Sequence, residues 1–405
     1  MSENIPKGWK WVKVGEIVFI NSKNLTPNYP YDEIYYLDTG SVAEGRLISS
    51  YKKFYLNEAP SRAKRIVNDG DIVYSLVRPI QRHYGIIKNP PDNLIVSTGF
   101  AVITADNNKA ENRFIYYYLT LDEIVDYLDS IAESSTTTYP SIVPDDLKNL
   151  IIPLPPLPEQ KAIAEVLSSI DDKIDLLHRQ NKTLEEMAMT LFRQWFIEPT
   201  KDGLPEGWEE VSLGDIFDIG IGRTPPRKES QWFSVNQHDI RWISVKDLGS
   251  IDTYILNSSE FLKEEAVKEF NIPIIPDNTV VLSFKLTVGR IGITIGEMVS
   301  NEAIAHFKLK PDSKISSNYL YLFLKTLDFS AFGSTSSIAE AINTKIIKEI
   351  KILVPNDELI TSFQSLINPV FQKIRLNTLE IQTLEKLRDT LLPKLMSGEV
   401  RVMKK

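Results

Sequence analysis

The sequence predicts an α+β chain built twice over. Two repeated mixed α/β domains are separated by two long helices that pair antiparallel as an intramolecular coiled coil, giving a pseudo-two-fold arrangement. Three observations predict this. Leu167, Ile170, Ile174, Leu177, Asn181, Leu184, Ala188 and Leu191 recur at alternating spacings of three and four within 157–196, the heptad seam of a helix lying along a partner. The seam returns 200 residues later as Ile367, Val370, Ile374, Asn377, Ile381, Leu384, Arg388 and Leu391. The flanks repeat too. Pro6, Gly8, Trp9, Gly15 and Ile17 match Pro205, Gly207, Trp208, Gly214 and Ile216, and Asp71–Ser75 matches Thr279–Ser283. Ser134, Ile142, Leu150, Ile152 and Pro155 likewise match Ser334, Ile342, Ile350, Ile352 and Pro355. The chain is a tandem repeat with expected boundaries at 1–156, 157–199, 200–356 and 357–405.

In the first domain, Ile72–Val77, Gly85–Ile87, Leu94–Ser97 and Phe100–Ile103 are β-branched or apolar runs divided by Gly, Pro and Asn, and read as strands. Asn112–Ile131 reads as helical, with Phe114, Tyr118, Leu121 and Val125 at helical spacing. Ser134–Thr138 is a polar loop, and Ile151–Leu157 ends in a stiff Pro-rich joint. The first long helix tolerates Pro158 in its first turn and stops at Pro199; at 1.5 Å per residue it is a rod of about 60 Å. In the second domain Trp242–Val245, Val280–Phe284, Gly292–Ile295 and Ile304–Leu309 are the expected strands and Tyr319–Leu324 the helix. The second long helix starts at Asn356 and Asp357, residues suited to capping. Pro369 and Pro393 are expected to kink or interrupt it, and Asn368-Pro369 offers a fresh cap.

An antiparallel pairing that sets Asn181 against Asn377 also sets Ile174 against Leu384, Leu184 against Ile374 and Ala188 against Val370. Arg388 then faces Ile170, with Asp171 and Asp172 near. A slip of one heptad buries both amides against apolar side chains, at about 1–3 kcal/mol each, so the two asparagines are expected to set the register.

Composition narrows the function. There is no cysteine among 405 residues, which removes disulfides, thiolate zinc sites and cysteine nucleophiles. The start MSENIPKGWKW lacks an apolar signal region and no apolar run approaches the length of a membrane span; the expectation is a soluble, cytoplasmic protein with no membrane partner. Net charge is −8, yet Arg46–Lys88 holds nine Lys/Arg against three acids, and nucleic-acid binding depends on where charge lies.

PEGWEEVSLGDI, GIGRTPPRK, RWISVKDL, PLPPLPEQKAIAEVLSSIDDKID and LLPKLMSGEV resemble the specificity (S) subunit of type I restriction–modification systems, and the resemblance spans essentially the whole chain. It implies two target recognition domains, each reading one part of a split double-stranded DNA sequence. It implies long helices that bind two methylation subunits, with the restriction/translocase subunits joining them. S-adenosylmethionine, ATP and Mg are then implied only for those partner subunits, and no cofactor for this chain. The first domain has NSKNLTPNYP where the second has GIGRTPPRK, which fits different target sequences.

Phosphates need Lys, Arg or backbone N–H donors, and base edges need bidentate Arg, Asn or Gln on projecting loops. The candidates are Arg62, Lys64, Arg65, Arg78, Gln81 and Arg82 in the first domain, and Arg223, Arg227, Lys228, Lys246, Lys285 and Arg290 in the second. The loops 134–138 and 334–337 either touch DNA or merely connect. Trp9 and Trp208 are expected in cores. Trp195 and Phe196 are expected to bury against a partner, and the outer faces with Lys161, Glu165, Lys173, Arg179, Glu185, Glu186 and Arg193 to dock methylation subunits.

Two rival readings are a stand-alone adenine-N6 DNA methyltransferase and a coiled-coil adaptor that does not bind DNA. Asn89-Pro-Pro-Asp92 resembles a methyltransferase tetrad but lacks its aromatic ring, and Phe217–Gly222 resembles a cofactor loop without a clear βαβ context. No GxxxxGK[ST] motif is present, and His83, His178, His238 and His306 lack ligand spacing. No catalytic or metal-binding residue is expected.

Overall fold

The computed structural model describes residues 5–47, 49–134, 139–329 and 343–402. They form two compact units, one of 1–172 with 384–405 and one of 173–383. Each unit therefore holds one repeat and a segment of both long helices.

In the first unit, Lys10–Lys13 pairs antiparallel with Ile151–Leu154, closing the repeat on itself. Between them lie two four-stranded sheets. One runs Val18–Ile20, Phe100–Ala105, Ile72–Ser75, Tyr84–Ile86; the other runs Lys52–Tyr55, Glu33–Leu37, Leu94–Ser97, Ala63–Ile66. Strand alternation divides the core. Ile72, Tyr74, Ala101 and Ile103 face one cluster with the helix Asn112–Leu119, and Val73, Phe100 and Val102 face another with Leu94 and Val96. The expected helix over 112–131 is two, Asn112–Leu119 and Asp122–Ser134.

The second unit repeats the plan. Glu209–Ser212 pairs with Lys351–Val354, and Ile304–Leu309 lies between Phe217–Ile221 and Val280–Ser283. Val280 and Leu282 face one cluster while Val281 faces another. The parallel pair Leu94–Ser97 with Glu33–Leu37 has its counterpart in Val299–Ser300 with Ile240–Ile243. Trp9 and Trp208 are buried, as expected.

The first long helix spans Leu157–Phe192 and ends in a π-helical turn, Arg193–Ile197. Gln160, fully buried, fixes its start by donating to Pro155 O and Lys109 O and accepting from Glu111 N. The second spans Asp357–Ser397, with Asn356 Oδ1 accepting from Leu359 N at 2.9 Å as its cap. Pro369 and Pro393 do not interrupt it. Asn368 is no fresh cap either, because its side chain accepts from Asn318 at 3.0 Å.

Within each unit the helix segments run antiparallel. In the second, Asn377 Nδ2 donates to Asn181 Oδ1 at 2.9 Å, both residues being buried, and Leu184, Ala188, Val370 and Ile374 share one apolar cluster. In the first, Arg388 meets Asp171 at 3.3 Å and Tyr117 donates to Asp171 at 2.6 Å, while Asp172 pairs with Lys88. Leu395 and Met396 pack with Trp9, Ile163 and Leu167, and Arg401 binds Glu159 and Lys7 O. Among the described residues no helix is long and apolar enough to cross a membrane.

Asn377→Leu strands a buried amide on Asn181 and is expected to cost about 1–3 kcal/mol. Adding Asn181→Leu is expected to recover most of that loss, because both polar partners are then gone. Urea unfolding of the two single variants and the double variant, read as a mutant cycle, measures the coupling.

Candidate nucleic-acid interface

In each repeat the sheet ends gather loops around one turn. In the first, the turn is Thr98–Gly99. Thr98 N donates to Arg62 O at 2.8 Å, and Leu76 N donates to Gly99 O at 2.8 Å. Arg78 N reaches Pro140 O at 3.0 Å. The ends of Ala63–Ile66 and Ile72–Ser75, with Arg62 and Arg78, are thereby brought together. In the second, the turn is 301–303. Asn301 N donates to Ile243 O, Phe284 N to Ala303 O and Arg223 N to Ser300 O, and Thr224 bonds Glu302. Gly222 is required there, because a Cβ would collide with the Ser300 carbonyl.

The candidate cations divide into committed and uncommitted. Arg65 donates to Asn24 at 2.6 Å and Arg82 pairs with Asp122 at 2.6 Å. Arg223 donates to Phe270 O at 3.0 Å. Arg227 grips Glu260 through two bonds of 2.6 and 3.0 Å and lies over the Phe233 and Trp242 rings. Arg290 donates to Val245 O at 2.6 Å. These five guanidiniums each spend at least one donor on the protein's own loops, and Arg223 and Arg227 stay exposed. Arg62, Lys64, Arg78, Gln81, Lys228, Lys246 and Lys285 are exposed. Among the described residues none has a side-chain hydrogen bond or ion pair, although Lys285 lies 5.3 Å from the Phe284 ring.

Phe196 is fully buried in its own unit, with ring centroids 4.7 to 5.9 Å from Phe363, Tyr319, Phe192 and Trp208. It is not a partner-binding surface residue: four residues after Phe192 and eight after Ala188, it shares the helix face that packs on the second repeat. Trp195 is half-buried 5.7 Å from Phe363. Glu185 is also occupied, by Tyr321 at 2.7 Å and Lys325 at 3.2 Å. Residues 135–138 and 334–337 lie outside the described residues.

Among the described residues neither methyltransferase-like segment forms a catalytic constellation. Phe217–Ile221 is a strand, and Asn89 opens a turn in which its N–H donates to Asp69 at 2.6 Å. Among the described residues no group of acids and histidines is placed to hold a metal. A cleft of about 1380 Å³ in the first unit is lined by Tyr84, Tyr116, Tyr117 and Tyr127, and its two arginines are held in the Arg82–Asp122 and Arg388–Asp171 pairs. His306 is buried against Ser300 Oγ at 2.7 Å; burial, with Lys308 adding to it, lowers its pKa to about 3. It is a neutral core group. Sequence reading missed Leu286, 79% exposed beside Lys285; the only signal was a turn glycine, Gly289, after it.

The comparisons agree with this duplicated geometry. The family model for the type I restriction modification DNA specificity domain matches twice, over 6–186 and 205–387. The chain belongs to that family. It is 26% identical to the HindI specificity subunit of Haemophilus influenzae, covering 97% of this chain and 99% of that one. It is 28% identical to the MjaIX specificity subunit of Methanocaldococcus jannaschii, covering 98% and 95%. A crystal structure of the type I restriction–modification S subunit from M. genitalium has the same fold, with a TM-score of 0.55 at 18% identity over 98% of this chain and 97% of that one.

Arg290→Ala removes the donor to Val245 O and is expected to cost about 1–3 kcal/mol, while Lys246→Ala stays within about 0.5 kcal/mol; thermal melts of both variants check this. His306 titrates lower folded than unfolded, so the stability it confers is whole above about pH 6.5 and drains as pH falls toward 3. Relative to His306→Gln, the protein is expected to lose about 2 kcal/mol between pH 7 and pH 5, read by urea unfolding at each pH.

Proposed function

We propose that this chain is the sequence-specific DNA-recognition subunit of a type I restriction–modification complex in the cytoplasm. Each repeat reads one half of a bipartite, asymmetric site, and the long helices dock two methylation subunits, which the restriction/translocase subunits join. One observation carries the reading: the two repeats share a sheet plan and a family match but differ in the residues of the loops at the sheet ends. A duplicated scaffold with unlike loops is what two unlike half-sites require. Uncommitted lysines and arginines supply the phosphate contacts, and the paired arginines hold the loops that carry them. S-adenosylmethionine, ATP and Mg belong to the partner subunits; the chain itself brings no catalytic group. The exposed helix faces, with Lys161, Arg179, Glu186, Arg193 and the half-buried Trp195, serve as the dock.

Replacing residues 1–156 by the corresponding domain of a relative is expected to change one half of the methylated sequence and leave the other half intact. Sequencing of methylated DNA from cells carrying the system reads this, and a change in both halves or in neither defeats the two-reader model. Lys228→Ala, Lys246→Ala and Lys285→Ala are each expected to weaken binding uniformly across sequences. Each should also lower the salt slope of binding by about one, measured by titration of duplex DNA at graded ionic strength.

A further inference from the structure

We infer that residues 78 and 286 are equivalent base-reading positions, Arg78 selecting a guanine in one half-site and Leu286 a thymine in the other. This rests on the DNA-recognition reading above and adds to it a residue and a base for each repeat.

The two hairpins are built alike. Ser75 N donates to His83 O at 2.9 Å, and Ser283 N to Arg290 O at 2.9 Å. The serine hydroxyls donate back into their own loops, Ser75 Oγ to Val77 O at 2.9 Å and Ser283 Oγ to Thr287 O at 2.6 Å. The next residue ties each hairpin to its neighbouring turn, Leu76 N to Gly99 O and Phe284 N to Ala303 O. Three residues past each serine the backbone enters the left-handed region, at Arg78 with φ 46° and at Leu286 with φ 67°. It does so again one residue before closure, at Arg82 with φ 54° and Gly289 with φ 91°.

Non-glycine residues rarely adopt that conformation, and for a bulky leucine it is an outlier. The first loop is one residue longer and makes a 3-10 turn at Pro79–Gln81, yet both repeats keep the left-handed step three residues past the serine, although the residue it presents differs completely. The two tips are braced, by Arg82–Asp122 and an Ile80 N to Asp129 bond in the first, and by Arg290 on Val245 O in the second. Both presented side chains are exposed, Leu286 at 79%. Among the described residues Arg78 has no side-chain partner, whereas Arg82 in the same loop does. An unpaired guanidinium fork matches O6 and N7 of guanine, while a leucine offers no hydrogen bond and fits the C5 methyl of thymine. Arg62 beside the first tip, and Lys285 next to the second, are placed for flanking phosphates.

The test selects duplexes from a randomised pool with the full chain assembled with its methylation subunits. Arg78→Leu and Arg78→Lys are each expected to reduce the preference for guanine at one position of one half-site, by about 5- to 150-fold for Arg78→Leu. The other half-site, unchanged, reports that the variant is folded. Leu286→Arg is expected to replace thymine by guanine at one position of the second half-site. With wild-type protein, deoxyuridine at that thymine should cost about fourfold, the worth of one desolvated methyl group, and should cost Leu286→Gly nothing. If the wild type selects a bipartite sequence and these variants select the same one, the inference falls while the recognition reading stands. If the wild type selects no sequence, the recognition reading falls and takes the inference with it.

Discussion

A single buried hydrogen bond, Asn377 Nδ2 to Asn181 Oδ1 at 2.9 Å, holds the second unit in its one arrangement. Two amides inside an apolar helix seam are costly unless they meet, and only one antiparallel register lets them meet. With that register fixed, Ala188, Phe192 and Phe196 lie with Phe363, Ile367 and Phe371 in the cluster that underlies the second repeat's sheet. In the first unit an ion pair with a phenol, Arg388–Asp171–Tyr117, occupies the helix contact instead. Both repeats tie a tyrosine to a carboxylate of the first long helix, Tyr117 to Asp171 and Tyr321 to Glu185, but the polar contact between the two long helices differs.

Above those seams the division of labour is the same in both repeats. Apolar strand residues alternate between two cores and set the direction of the sheets, while serine hydroxyls and paired arginines set the shape of the loops at their ends. Because Arg65, Arg82, Arg223, Arg227 and Arg290 spend their donors inside the protein, the loops reach a ligand already ordered and little conformational entropy remains to be lost on binding. The other seven candidates, Arg62, Lys64, Arg78, Gln81, Lys228, Lys246 and Lys285, keep their polar groups free of any such contact among the described residues.

The helices and strands were legible because their periods are local. The three-four spacing, the apolar-rich runs Leu94–Ser97 and Ile304–Leu309, and the 200-residue repeat can all be read without knowing any long-range contact. The asparagine pair was legible for a related reason: each is a polar break at the same seam position in two matched helices. What stayed hidden was partnership across distance. Nothing beside Arg290 in sequence says that Val245 takes its donor, and nothing beside Arg227 points to Glu260. Phe196 was misjudged because the rings that cover it, Tyr319 and Phe363, lie far away in sequence. Two prolines that propensity alone places at breaks sit inside an unbroken helix, where tertiary packing outweighs their local cost.

The floor of the first unit contains Leu395 and Met396 against Trp9, Ile163 and Leu167, and Arg401 clasps Glu159 and the Lys7 carbonyl. On the ribosome those contributors emerge about 240 residues after the repeat they complete. The second head can close its core before the first one can, so the portion made earliest is finished last. At elongation rates of about 5–20 residues per second, an incomplete apolar face stays open for at least about ten seconds, long enough for a chaperone to find it.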